Sequence, residues 1–564
     1  MARPDESNGS GDGRSSLSVM LTDAVSAPGS KWFPGRAGIE VAARLAARPD
    51  RVARRGLGLA GELAKIALGR SAVAPANGDR RFRDPAWEGN PAFRRLAQTY
   101  LATTAAADGL VSDAGASWRA ERRARFTVEN VFGALAPTNF PALNPAVYKA
   151  TIDTGGRNFV KGTRQLIGDM ASRRRIPSMV DGRRFEVGEN IAVTPGQVVL
   201  KTPVFELIQY KPATARVRAR PLLIVPPMIN KYYVVDLAPE RSMIEYLVAQ
   251  GQQVFVMSWR NPDERHAEWG LDTYVQAILD GLEATEDISG ADHIHMMGLC
   301  AGGIVLSCAL GLLAARGEAD RVAGLTLAVC LLDTDRAGMT GALLDDTVAA
   351  AAIADSARRG YLDGKALAGV FAWLRPNDLI WNYWVNNYLL GKDPPAFDIL
   401  YWNADTTRMP AALHRDFIEL SLANPLTRAG EMTVLGTPID LQKVAMDAYI
   451  VAGIADHITP WQNAYRTTQM LGSEPRFVLS TSGHIAAMVN PPGNEKASFQ
   501  VNESNPETSE EWLAAAHKRR GTWWEDWSGW LGERSGATKT ARKTLGNAKH
   551  QAQAPAPGAY VLEK

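Results

Sequence analysis

Residues 186–535 are expected to form an α/β body, built on a mostly parallel sheet with an insertion at about 331–440. A mainly helical domain is expected before it, at 31–185. Three observations carry this. Short apolar runs bounded by turn residues recur in the second half: RPLLIVPPMI, QQVFVMSW, HIHMMGL, DAYIVAGIA and RFVLSTSG. Helical periodicity fills the stretches between several of them, the alternation that builds βαβ units. A tight turn with a nucleophile in a glycine frame, Gly298-Leu299-Cys300-Ala301-Gly302, joins one such run to a helix of small and apolar residues.

The chain has 564 residues, long for one core, and two domains with loose ends are expected. Apolar residues at 46% and charged residues at 22% fit a soluble globular protein. A net charge of +2 gives no global field for nucleic acid, and no nucleic-acid motif is evident. The opening MARPDESNGSGDGRSSLSVM lacks the apolar stretch of a signal peptide. No run of about 18 apolar residues occurs, so no membrane span is expected. The three cysteines are Cys300, Cys308 and Cys330. The first two would lie about 12 Å apart along a helix, too far for a disulfide, which fits a reducing cytoplasm.

Residues 1–30 are Gly, Ser and charge, and read as disordered. GIEVAARLAARPDRVARRGLGLAGELAKIALGR has helical spacing with arginines between the apolar positions, a helix pair broken at Pro49. A basic face lying on an apolar or anionic surface is the functional alternative there. Within it, Gly56, Gly58 and Gly61 match the dinucleotide pattern GxGxxG, but a helical run and not a strand precedes them, so no cofactor is expected. Strand character begins near residue 185. After Cys330 the strand rhythm lapses into a helical, aromatic stretch that includes FAWLRPNDLIWNYWVNNYLLG, and such late insertions often cap an active site. Trp523, Trp527 and Trp530 share one helical face, for packing. Residues 536–564 read as a loose tail.

The chemistry concentrates at Cys300. Flanking glycines let strand and helix approach, and the turn lifts the side chain above the sheet edge, as in a nucleophile elbow. The helix N-terminus favours negative charge at the sulfur, and the Ala301 N–H faces any oxyanion forming beside it. In such sheets the acid and then the histidine follow the nucleophile in chain order. Asp456 follows AYIVAGIA and His484 follows RFVLSTSG, each just past a strand, so the three meet at one sheet edge. His457, beside Asp456, either supports the site residues from behind or is structural. His293 and His295 alternate on one strand with no third ligand nearby, so no metal is expected.

RRFRDPAW, VPPMINKYYVVDL, SWRNP, GLCAGG, FAWLRPNDLIWNYWVNNYLLG, PIDL, DHITPW and SGHIAAMVNPPGN together make the chain, from about residue 80 onward, resemble the poly(3-hydroxyalkanoate) synthases. The resemblance is to the single-subunit type, closer in triad spacing to those for medium-length monomers, although SGHIAAMVNPP looks nearer the short-monomer type. It implies an α/β-hydrolase catalytic domain with a cap behind a helical domain. It implies a Cys300–Asp456–His484 triad, and an oxyanion site of the Ala301 and Ile229 amides. It further implies polymerisation of (R)-3-hydroxyacyl-CoA with release of coenzyme A, which is a leaving group and not a cofactor. A homodimer, granule-protein partners and a cytoplasmic site at the granule surface are implied likewise. A thiol suits that work: thiolate attack trades one thioester for another, so the acyl group stays activated for an alcohol. A polyester depolymerase or thioesterase on the same scaffold, and a non-catalytic granule-coating protein, are the alternatives.

Overall fold

The computed structural model describes residues 35–172, 176–337, 342 and 346–564. The disordered reading of residues 1–30 lies outside the described residues. The described residues divide into two compact units: one within Phe185–Gly364 and Asp405–Lys564, the other from residue 35 to Arg184 with Lys365–Ala404.

The first unit is built on an 11-stranded sheet. Its strands are β1 (Gly196–Lys201), β2 (Phe205–Tyr210), β3 (Leu222–Val225), β4 (Val254–Trp259), β5 (Ile294–Leu299), β6 (Val322–Ala328), β7 (Ala448–Gly453), β8 (Arg476–Ser480), β9 (Ser498–Val501), β10 (His517–Arg520) and β11 (Ala554–Pro555). The spatial order is β10-β9-β8-β7-β6-β5-β3-β4-β2-β1-β11. The six strands from β8 to β4 are mutually parallel. The flanking pairs are antiparallel. Strands β3, β4, β5 and β7 are buried at every residue, which is why they read as continuous apolar runs and not as alternating ones. One sheet edge is β10, HKRR, exposed throughout, whose charges discourage pairing with another chain.

The tryptophan helix Trp523–Arg534 packs as its pattern requires. Trp523, Trp524 and Trp527 are fully buried, and Trp527 Nε1 donates to Thr326 Oγ1 at 2.9 Å. Each such side chain contributes roughly 1.5–3 kcal/mol by burial.

The segment 536–564 differs from expectation: it is tied down, not loose. Thr538–Thr540 pairs with Arg216–Arg218, and β11 pairs with β1. Tyr560 is buried, with its ring 4.3 Å from the Arg260 guanidinium carbon and 4.6 Å from Lys201 Nζ. The anchors are polar and distant in sequence, so the segment's composition gave no sign of them.

The second unit is helical. Helix Pro49–Ala67 starts with proline at its first turn, where the missing N–H costs nothing. Helix Pro91–Ala114 is capped by Asn90, whose side chain accepts from the Ala92 and Phe93 amides, and ends at left-handed Gly115. Gly56, Gly58 and Gly61 lie inside a regular helix with no phosphate-binding loop. The insertion expected at about 331–440 is split between the units. Its aromatic part pairs with the N-terminal helices: Trp384 Nε1 donates to Asn139 O at 3.0 Å, and Asn158 Nδ2 to Leu389 O at 2.8 Å. A Cβ at Gly162 would sit 1.9 Å from Tyr388 O, so only glycine admits this approach. Packing therefore accounts for Trp384 and Tyr388. Among the described residues no helix is long and apolar enough to cross a membrane.

Candidate active site

Cys300 sits between β5 and helix Ala301–Arg316 with φ 48° and ψ −122°. Positive φ at a non-glycine residue is strained, and such strain marks sites where the surroundings fix one geometry. Here the fixing is visible. Cys300 N donates to Ala328 O on β6 at 3.0 Å. A Cβ on Gly298 would meet Gly303 Cα at 2.5 Å, and one on Gly302 would meet the carbonyls of Val225 and Pro226 at 2.5 Å. The glycine frame thus lets the helix start lie directly on β5 and on the turn after β3. The helix is buried from Ala301 to Leu313, matching its small and apolar sequence.

Asp456 lies in the loop after β7 and His484 opens a short helix after β8. The two loops touch closely: a Cβ on Gly453 would sit 2.5 Å from Ser482 O. His484 Nδ1 bonds Asp456 Oδ2 at 2.7 Å. Asp456 Oδ1 accepts from the amides of Ile458 at 2.8 Å and Thr459 at 2.9 Å. The Thr459 hydroxyl donates to Asp456 Oδ2, and its oxygen lies 3.2 Å from His484 Nδ1. With Nδ1 committed to Asp456, Nε2 is the nitrogen left to face Cys300, whose charge acts on the ring. The three predicted residues are therefore brought together.

Electrostatics agree with that geometry. Burial alone would push Asp456 up, yet the facing His484 and the hydrogen bonds from His484 and Thr459 hold it below the usual carboxylate range. Burial would push His484 down, but the charges of Asp456 and Cys300 raise it instead. The other two sulfurs are unsuited to ionise. Burial pushes Cys308 up to about 12 and raises Cys330 well above the ordinary thiol value.

Ala301 N–H is the first amide of its helix and has no acceptor within it. Ile229 is buried in the turn after β3, the turn whose Pro226 carbonyl approaches Gly302. His457 is half-buried beside Asp456. His295 is buried near Trp530, its ring centroid 6.5 Å from the indole. Among the described residues, no group of three acidic, histidine or cysteine side chains could hold a metal. Sequence reasoning missed Thr459, although it stands in the quoted DHITPW. A threonine three residues past the acid, in the same turn, was the available signal.

Residues 78–247 match the family model described as the poly-beta-hydroxybutyrate polymerase (PhaC) N-terminus, and residues 221–491 match the alpha/beta hydrolase fold. Poly(3-hydroxyalkanoate) polymerase 1 of Ectopseudomonas oleovorans is 46% identical over 503 residues, covering 89% of this chain and 90% of that protein. The chain belongs to the poly(3-hydroxyalkanoate) polymerase family. Two further members agree. Poly(3-hydroxyalkanoate) polymerase 2 of the same organism is 46% identical, over 92% of each chain. Poly(3-hydroxyalkanoate) polymerase subunit PhaC of Cupriavidus necator is 42% identical, over 86% of this chain and 83% of its own. The match to the polymerase N-terminus crosses from the helical unit into the first strands of the sheet, so membership rests on both units.

Proposed function

We propose that this protein is an acyltransferase that polymerises (R)-3-hydroxyacyl groups from coenzyme A thioesters into poly(3-hydroxyalkanoate), through an acyl-cysteine at Cys300. The observation that supports it most directly is the imidazole of His484, bonded to Asp456 at 2.7 Å and made more basic by the charges of Asp456 and of Cys300 at the elbow. His484 takes the Cys300 proton, the thiolate attacks the thioester carbonyl, and coenzyme A leaves as its thiol. The oxyanion is held by the Ala301 and Ile229 amides. A 3-hydroxyl from a monomer or chain end then attacks the acyl-cysteine. Its proton passes to His484, with Asp456 orienting the ring or acting on the hydroxyl itself, and Cys300 is released. Both steps balance without a cofactor or metal. The first is nearly isoenergetic, and the second is driven downhill from thioester to ester.

The same reading makes the enzyme a cytoplasmic homodimer at the surface of its polyester granule, in reach of granule-associated proteins. Exposed apolar side chains at Ile152, Val160 and Ile167 of the helical unit are consistent with a surface role.

The test is a panel of 3-hydroxyacyl-CoA chain lengths, with polymer and released coenzyme A both measured. Polymer should form with one coenzyme A per monomer, and Cys300→Ala should abolish both. Free hydroxy acid without polymer would identify a hydrolase. Undiminished coenzyme A release by Cys300→Ala would remove the cysteine from the mechanism.

A further inference from the structure

Ile229, the second oxyanion donor in the mechanism above, lies in a turn that is tethered on both sides. Before it, Met228 O accepts from Thr407 Oγ1 at 2.9 Å, and Pro226 O accepts from Trp259 Nε1 at 2.8 Å. After it, Asn230 forms a bridge with Thr406. Next comes Lys231, an ammonium buried to 2% exposure, which donates to Glu563 O at 2.6 Å and to Tyr560 O at 3.4 Å.

The segment that receives Lys231 is itself held from several sides. The amides of Ala559 and Tyr560 donate to Glu206 Oε2 at 2.8 and 2.9 Å, and the Tyr560 hydroxyl donates to Thr202 O at 2.6 Å. Glu563 accepts from the Asn261 amide at 3.2 Å and from Arg260 Nε at 3.4 Å. Lys564 Nζ reaches Asp405 Oδ1 at 2.8 Å, and Asp405 Oδ2 accepts from the Tyr233 hydroxyl at 2.8 Å. Residues 559–564 therefore join β2, the loop after β4 and the 405–408 loop to the turn that carries Ile229. Burying an ammonium is costly unless its donors are met, and a surface lysine would serve if the turn needed only charge. The cost is explained if the turn must hold one position.

We propose that Lys231 is a positioning residue for acyl transfer, fixing the Ile229 amide against the elbow by anchoring its turn to residues 560–563. This rests on the acyl-cysteine reading above, and extends it by assigning the segment 559–564 a part in the site's geometry. Lys231 touches no reacting atom. Its effect passes through the main chain of two residues.

Lys231→Met keeps the length of the side chain and removes the anchor. Steady-state coenzyme A release should show kcat lowered about 100-fold, the usual effect of misplacing a donor by about 1 Å, with KM within about threefold of the parent. Methionine fills the buried space, so the thermal midpoint should stay within a few degrees. The double variant Glu563→Ala/Lys564→Ala leaves Lys231 in place but removes the side-chain bonds from Glu563 to Arg260 and the Asn261 amide and from Lys564 to Asp405. It should lose about tenfold in kcat with KM likewise unchanged. A folded Lys231→Met protein with parental kcat, or with its defect confined to KM, overturns the proposal. Should Lys231→Met fail to fold, parental kcat in the double variant overturns it and a selective kcat loss sustains it. Cys300→Ala, run alongside, separates the two readings: if that variant still releases coenzyme A, the acyl-cysteine mechanism fails whatever Lys231 does.

Discussion

Gly302→Ala adds one methyl group where the elbow helix meets the turn after β3. The new Cβ would stand 2.5 Å from the carbonyl oxygens of both Val225 and Pro226, where ordinary contact begins at 3.4 Å. Both obstacles are main chain, one of them at the end of a fully buried strand, so neither can swing aside. Helix start and turn must separate by ~1 Å, which moves the Ala301 amide and the Ile229 turn apart. Overpacking of this kind costs about 1–3 kcal/mol of stability. A displacement of ~1 Å at a reacting centre costs about 100-fold in rate. The assay is coenzyme A release from hydroxybutyryl-CoA and hydroxyoctanoyl-CoA, with thermal midpoints of the same preparations. Gly61→Ala is the companion variant, because nothing lies within 4 Å of its Cβ and its helix should gain about 0.5–1 kcal/mol. Parental kcat and midpoint in Gly302→Ala would refute the claim that this glycine sets the approach of the Ala301 and Ile229 amides, the proposed oxyanion donors.

Asp456→Asn should lower kcat by about 10³–10⁴-fold, since the amide neither stabilises a charged ring nor fixes its tautomer. It should also change the pH profile of stability. The folded chain holds the His484 proton more tightly than an unfolded imidazole, which titrates near 6.5. That contribution is complete below about pH 6.5 and is lost as pH rises through the raised value. Denaturant titrations across pH 6–10 should show this loss arriving at lower pH in Asp456→Asn, and identical profiles would contradict the pairing. Trp527→Phe keeps most of the buried ring but deletes the donor to Thr326 Oγ1, so it should cost about 1–2 kcal/mol with kcat unchanged; a tenfold loss of activity would mean the helix does more than pack.

The elbow was legible because three local signals coincide there: an apolar run, a glycine frame and a helix of small residues. Asp456 and His484 were legible for a related reason. Each follows an unbroken apolar run, and parallel strands deliver their C-terminal loops to one edge. What stayed hidden depends on partners far along the chain. Nothing in FAWLRPNDLIWNYWVNNYLLG says that its Trp384 will donate to Asn139, and helical aromatic sequence fits a cap as well as a bundle. Residues 536–564 are small and polar, which reads as loose. Their order comes from Glu206, Lys231 and Arg260, residues that are unremarkable in sequence until the sheet brings them together.

Strand β11, paired to β1 at residues 554 and 555, has a consequence for biogenesis. Its partner is translated some hundreds of residues earlier, so the ribosome releases nearly the whole sheet while that border is still bare. Until the late strand arrives, β1 offers unpaired amides to any neighbouring nascent chain, and the turn bearing Ile229 lacks its brace. Competence to turn over thioesters then waits until residues 554–564 have been made, which keeps molecules that lack them from seeding polyester.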